Sequence, residues 1–332
     1  MSSPVSEGPS KLAILITGLA GLVVAIVLVI ALTRSDPPAP EARPSFDGDR
    51  ALALAAEQVA FGPRIPGMPA HDSTRAWIVA QLRARGARVA ELPVSVPHPR
   101  EAGRTMEGTN IFASFDTTAQ RRVLLAAHWD TRAVADNDPD PTKRFEPVLG
   151  ANDGASGVAV LLEMARLLSE NPAPVGVDLV FFDLEDMGEP GFGEDSSAVA
   201  YALGSAAFVR QHPGYRPAYG ILLDMIGDRS LRIPKEGYSM QAAPAVVEMV
   251  WSAAARVGAT AFAPETGAPI YDDHIAFLQN GIPMIDLIQT PFPDSWHTTS
   301  DTMDRLSAAS LAQVGRTLVE VLWGIEAERA TS

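Results

Sequence analysis

Acidic residues and histidines recur in this chain where strand-like apolar runs end. The stretches are LLAAHWD ending at Asp130, LGANDGASG around Asp153, VDLVFFDLED ending at Asp186, YGILLDMIGD around Asp224 and DLIQTPFPDSWHT around His297. Short continuous apolar runs suit strands buried on both faces, and the residue that follows each run leaves at the edge of a sheet. Helical patterns lie around and between them. DGDRALALAAEQVAFG stops at Gly62-Pro63, DSTRAWIVAQLRARG has Asp72 or Ser73 to cap it and Gly86 to stop it, and GASGVAVLLEMARLLSE follows Asp153 directly. Further helices are expected near 199–210, 241–256 and 305–328. RVAELPVSV, TNIFASF and RRVLLAAH read as additional strands. Strands alternating with helices predict an α/β sandwich with a mostly parallel sheet, and ligands of such sheets bind at the carboxyl edge.

The residues gathered at that edge suit metal chemistry. Zinc takes imidazole nitrogens and carboxylate oxygens, and a catalytic site leaves one position open. Asp153, Asp186 and His297 are the expected ligands of a first ion. His128 and Asp224 could complete a second, with Asp153 bridging the two. Glu185 and Asp186 are neighbours, so their side chains diverge. One can ligate metal while the other, Glu185, carries protons for the substrate. His274, in YDDHIAFL, is read at a helix start, with Asp272 and Asp273 suiting its dipole; Asp272 could instead reach Glu185. Trp296 either walls the pocket or packs. His71, His98 and His212 are read as surface residues. The polar loop TRAVADNDPDPTKRFEPVLG, between two candidate ligands, is expected to border the site.

The N-terminus has a different character. Residues 12–33, LAILITGLAGLVVAIVLVIALT, carry no charge. As a helix they would span roughly 33 Å, enough to cross a bilayer core. The run exceeds the usual apolar core of a cleaved signal, and no small-residue cleavage site follows it. The expected organisation is a short tail at 1–11, a transmembrane anchor at 12–33, a Pro-rich linker at 34–46 and a catalytic domain at 47–332, the last outside the cytoplasm. A long signal peptide is the alternative. The net charge of −14 disfavours nucleic acid as a partner and is compatible with a cationic one, such as a peptide N-terminus.

HWDTR at 128, GANDGASGVAVLLEMAR, FFDLED, LLDMIG, DDHIAFLQNGIP and PFPDSWHT together resemble the glutaminyl-peptide cyclotransferase branch of the zinc aminopeptidase-like superfamily. The resemblance runs from about FGPRIPG at 61 to the end. It implies a three-layer α/β/α sandwich with a mixed, mostly parallel central sheet, and an enzyme converting N-terminal glutamine to pyroglutamate. Metallo-aminopeptidase action is the alternative. It implies zinc on Asp153, Asp186 and His297, with a single ion favoured over two. Glu185 would be the proton shuttle, Asp224 and Asp272 carboxylates hydrogen-bonded around it, and Trp296 part of the substrate pocket. The related aminopeptidases use His128 and Asp224 for a second metal. Two departures fall on the pocket: Asp286 stands where the cyclases carry His, and the loop MGEPGFGEDSS lacks the Trp of the animal enzymes. The implied partners are peptide or protein N-termini, with the membrane reached through the N-terminal helix.

Overall fold

The computed structural model describes residues 43–98, 103–188 and 201–326. The expected anchor at 12–33, most of the linker and most of the MGEPGFGEDSS loop lie outside them. Among the described residues no helix is long and apolar enough to cross a membrane.

Strand β1 (Arg88–Pro97) pairs antiparallel with β2 (Thr105–Phe115), which pairs antiparallel with β4 (Gly176–Phe182). From β4 onward the sheet is parallel, through β3 (Arg122–His128) and β5 (Tyr219–Asp224) to β8 (Met284–Ile288). The order is β1-β2-β4-β3-β5-β8, a mixed sheet whose parallel half carries the buried apolar runs. The register sets His128 beside Phe182 and Asp224 beside Ile288, so the residues that follow leave at one edge. Strands β6 (Ile233–Lys235) and β7 (Phe262–Thr266) form a separate small sheet that the sequence pattern did not announce.

Alternate strand residues face opposite sides. Val123, Leu125, Leu179, Ile221, Leu223 and Leu287 join one apolar cluster. It is covered by α1 (Gly48–Val59), α2 (Pro69–Ala84), α3 (Ala155–Glu170), α6 (Pro244–Arg256) and α8 (Ala308–Val319). Leu124, Ala126, Val180, Phe182 and Leu222 face the other cluster, with Phe208 of α4 (Leu203–Gln211) and Phe277 of α7 (His274–Gln279). Helices on both faces of the sheet give the three layers. Each large apolar side chain buried this way contributes about 1.5–3 kcal/mol.

Helix α3 brings the site its N-terminus, and it lies against β5 at Gly157. A Cβ there would meet the Leu223 carbonyl oxygen at 2.4 Å, so only glycine allows the approach. Asp47 caps α1 by accepting from the Arg50 N–H at 3.0 Å. Helix α2 begins at Pro69, before the expected Asp72 or Ser73, because proline suits the first helical position. Ser73 Oγ instead bonds back to the Pro69 carbonyl. The helix expected at 241–256 is divided at Pro244 into α5 (Gly237–Ala242) and α6. The one expected at 305–328 is α8 followed by a π-helical segment, Glu320–Ile325.

Candidate metal centre and active site

The predicted ligands converge. His128 Nε2 lies 3.0 Å from Asp153 Oδ1 and 3.2 Å from Asp224 Oδ1. His297 Nε2 lies 3.7 Å from Asp153 Oδ2 and 3.3 Å from Asp186 Oδ1. Asp153 therefore offers one oxygen to each imidazole. The ligand atoms of His128, Asp153 and Asp224 lie within 4.8 Å of one another, as do those of Asp153, Asp186 and His297, and all five residues are buried. Nitrogen and carboxylate donors at such spacing fit zinc, in one position or in two sharing Asp153. Without a cation the cluster is a concentration of negative charge. Burial raises the Asp153 pKa, and the Asp186 charge adds to the rise.

Two further carboxylates hold the ligand-bearing backbone. Asp130 accepts from the N–H groups of Glu185 and Asp186 at 3.1 and 3.0 Å. Asp301 accepts from those of Asn152 and Asp153 at 2.8 and 3.0 Å. Burial, with Asp153 nearby, pushes the Asp301 carboxyl up to about 7. Arg64 is fully buried beneath this turn and donates to the carbonyls of Trp129, Leu149 and Gly150. Burial lowers its pKa to about 10. Arg132 makes a bidentate pair with Asp136 at 2.6 and 2.7 Å and reaches Asp186 Oδ1 at 3.3 Å. None of these five was assigned a role from sequence. Asp130 ends the LLAAHWD run and Arg64 lies in FGPRIPG, so the segments were visible although the roles were not.

Strain marks the same edge. Leu184, Met225 and His297 have φ of 59°, 47° and 55°, a left-handed conformation costing non-glycine residues about 1–2 kcal/mol each. Leu184 precedes Glu185, Met225 follows Asp224, and His297 is itself a candidate ligand.

Glu185 is 8% exposed, and its pKa is raised well above the carboxylate range. Burial is the main cause; the charges of Asp272 and Asp186 reinforce it and His128 opposes it. Asp272 is buried, and its charge bears on both Glu185 and Asp224, which supports the reading that it reaches toward the site. Asp286 is not part of the aromatic wall. At 1% exposure it lies behind the site with His274, whose Nδ1 is 3.9 Å away, and with Asp272. Glu236 completes this group, 3.3 Å from His274 Nε2. His274 does start α7, fully buried. Trp296 stacks on His297 at 4.1 Å and packs at a tilt against Phe292 at 4.4 Å, forming a half-buried wall at the metal site. His71 is not a surface residue: it is buried, 2.9 Å from Asp183 Oδ2, and stacked on Trp129 at 4.1 Å. The polar loop after His128 does border the site. Its Asn137 N–H donates to the His297 carbonyl, and Asp138 accepts from Thr299.

With this geometry in hand, residues 110–322 match the sequence profile of peptidase family M28. The chain belongs to that family. Within family M28 its relatives include the glutaminyl-peptide cyclotransferase-like protein of Mus musculus, 30% identical over 284 residues (78% of this chain, 71% of the relative). The glutaminyl-peptide cyclotransferase of Bos taurus is 26% identical over 283 residues (77% and 76%). Among solved structures, the glutaminyl cyclase of Bacteroides thetaiotaomicron superposes with a TM-score of 0.81 at 39% identity, covering 85% of this chain and 99% of that one. A Zn-dependent exopeptidase from Parabacteroides distasonis gives 0.81 at 40% identity, with the same coverage.

Proposed function

We propose that this M28 chain is a zinc-dependent glutaminyl-peptide cyclotransferase, converting the N-terminal glutamine of peptides to pyroglutamate with release of ammonia. The observation that carries the reading is Glu185, a buried carboxyl of raised pKa adjoining a mixed imidazole–carboxylate centre. Cyclotransferases and glutaminyl cyclases among the relatives support it.

Asp153, Asp186 and His297 would hold the zinc, which when bound polarises the side-chain amide carbonyl of the glutamine. The α-amine attacks Cδ, a C–N bond forms, and the bond from Cδ to the amide nitrogen breaks. Glu185 as carboxylate takes a proton from the attacking amine; as acid it returns that proton to the departing ammonia. The exchange needs one carboxyl that passes between both forms, and a raised pKa brings the two closer in energy near neutral pH. Asp272, with Asp186, holds the proton on Glu185 by like charge, and Asp224 would take the place of the carboxylate beside Asp272. Trp296 supplies an apolar wall that orients the glutamine and keeps water from competing with the amine.

The second triad, His128, Asp153 and Asp224, favours an alternative: a metallo-aminopeptidase with two ions, in which Glu185 takes its proton from an attacking water. Mass spectrometry of Gln- and Leu-initiated peptides incubated with the zinc-loaded protein separates the two. Loss of one ammonia from the Gln peptide alone supports the cyclotransferase; free amino acid from either peptide refutes it in favour of the peptidase.

The uncharged run at 12–33 supports a single-pass anchor, with the linker at 34–46 and the catalytic domain outside the cytoplasm. Alkaline carbonate washing and protease protection test this. Recovery of the intact chain in the wash would count against an anchor.

A further inference from the structure

Two residues, Asp183 and Leu184, stand between the end of β4 and Glu185. Leu184, at φ 59°, is the joint where the chain turns out of the sheet, and its backbone angles set where Glu185 points. A left-handed leucine persists only where its surroundings hold it. One side of the joint is tied to the start of α4: the Leu203 N–H donates to the Leu184 carbonyl at 3.1 Å, and the Ala202 N–H to the Glu185 carbonyl at 3.0 Å. On the other side the Leu184 N–H donates to Oδ1 of Asp183 at 2.9 Å. The joint therefore depends on how the Asp183 carboxylate is oriented.

That carboxylate is fully buried and is gripped from two other elements. From β2 the Thr109 N–H donates to Oδ2 at 2.6 Å. From α2 the His71 Nε2 lies 3.0 and 2.9 Å from the two oxygens. A ring nitrogen set between two carboxylate oxygens acts as a donor. The imidazole is itself fixed, buried and stacked on Trp129 at 4.1 Å. Trp129 is anchored in turn by its Nε1, which donates to the Thr109 carbonyl at 3.2 Å. The Asp183 N–H donates to Asn110 Oδ1 at 2.9 Å, so both its backbone and its side chain are held. His71 touches neither the candidate ligands nor Glu185 in this arrangement; its reach is through Asp183.

We propose that His71 is a positioning residue for the proton carrier: through Asp183 it holds the Leu184 joint, and with it the aim of Glu185. Without the imidazole, Asp183 is free to turn from the Leu184 N–H, and the leucine can relax toward an ordinary conformation. Glu185, the next residue, then loses its aim. Asp186 has a second support, because Arg132 Nη1 reaches its carbonyl at 3.4 Å and its Oδ1 at 3.3 Å. Zinc binding therefore outlasts the loss of His71 while proton transfer does not. The inference rests on Glu185 being the proton carrier, and it holds for cyclisation and for peptide hydrolysis alike.

The test uses the full-length zinc-loaded protein. His71→Phe keeps a ring on Trp129 and removes the donor; His71→Gln gives up the ring and restores an N–H at similar reach. His71→Phe is expected to lower kcat about 10–100-fold, the scale of a misplacement of about 1 Å. KM for a Gln-initiated peptide and zinc affinity by chelator competition should both stay within about twofold, the pattern of a contact that matters only in the transition state. His71→Gln should recover most of the lost kcat. Asp183→Asn keeps the His71 stack and should show the same loss confined to kcat, which carries the test if His71→Phe does not fold. No loss, a loss shared with KM and zinc affinity, or one that Gln does not relieve overturns the proposal. If the unmodified protein turns over neither Gln- nor Leu-initiated peptides, the reading of Glu185 as proton carrier fails, and amide hydrogen exchange in His71→Phe then decides the joint. Faster exchange at Leu184 with β3 amides unchanged supports it; unchanged or uniformly faster exchange overturns it.

Discussion

Replacing Asp130 by Asn tests whether the acid pair is held from behind. The carboxylate accepts from two consecutive backbone N–H groups, those of Glu185 and Asp186, and it is fully buried. Asn keeps the shape but has one acceptor oxygen. Its NH2 must then face one of the two N–H groups, leaving a buried donor opposite a donor. Hydrogen bonds to a charged group contribute about 1.5–3 kcal/mol, and a buried unsatisfied group costs about 1–3 kcal/mol. The expected destabilisation is therefore about 2–4 kcal/mol, read from urea unfolding of the metal-free protein. Asp130 Oδ1 also lies 3.7 Å from His128 Nδ1. Loss of a partner that orients ligands typically costs 10–100-fold in metal affinity, so zinc binding measured by chelator competition should weaken by about that factor. Wild-type stability together with wild-type zinc affinity would refute the clamp.

Glu185→Gln should reduce kcat by about 100-fold or more, the usual scale of a positioned acid–base group, with zinc still bound. Because that carboxyl is crowded by Asp272 and Asp186, the same change should raise the unfolding midpoint of the metal-free protein; a variant that turns over normally would remove Glu185 from the mechanism. Gly157→Ala should destabilise by about 1–3 kcal/mol through the clash with the Leu223 carbonyl, and an unchanged urea midpoint would contradict the close approach. The metal-free protein should lose stability as pH rises. Asp301, at about 7 when folded against 3.8 as its ordinary value, keeps its proton in the native state after the unfolded chain has released it. Its contribution is thus complete below about 4 and is lost progressively up to about 7. Saturating zinc should flatten that slope, and a slope of opposite sign in calorimetry would reject the crowding of carboxylates.

The strand ends were legible because four buried parallel strands need continuous apolar runs such as VDLVFF and YGILL, each closed by an acidic residue or a histidine or followed by one. Five ligand candidates converge for that reason: position along a strand was readable, and topology brought the strand ends together. The supporting residues were not readable. Asp130 and Asp301 act by accepting backbone N–H groups, and no spacing distinguishes such an Asp from one on the surface. His71 lies among prolines and glycine, yet its partner Asp183 is 112 positions away and only the folded sheet brings them together. Asp286 was legible as a departure from the cyclase pattern, but its place behind Asp272 depends on the β8 register. The start of α2 was misplaced because Asp72 and Ser73 were taken as its cap, when Pro69 already opens the helix.

The single carboxylate that divides its oxygens between two imidazoles also determines how cations would load. An ion settling against His297 and Asp186 draws on Asp153, and the same residue must then orient toward any ion resting on His128 and Asp224. Occupancy on one side thus sets the affinity on the other. A stepwise binding isotherm, not two independent ones, is the signature such a hinge would leave.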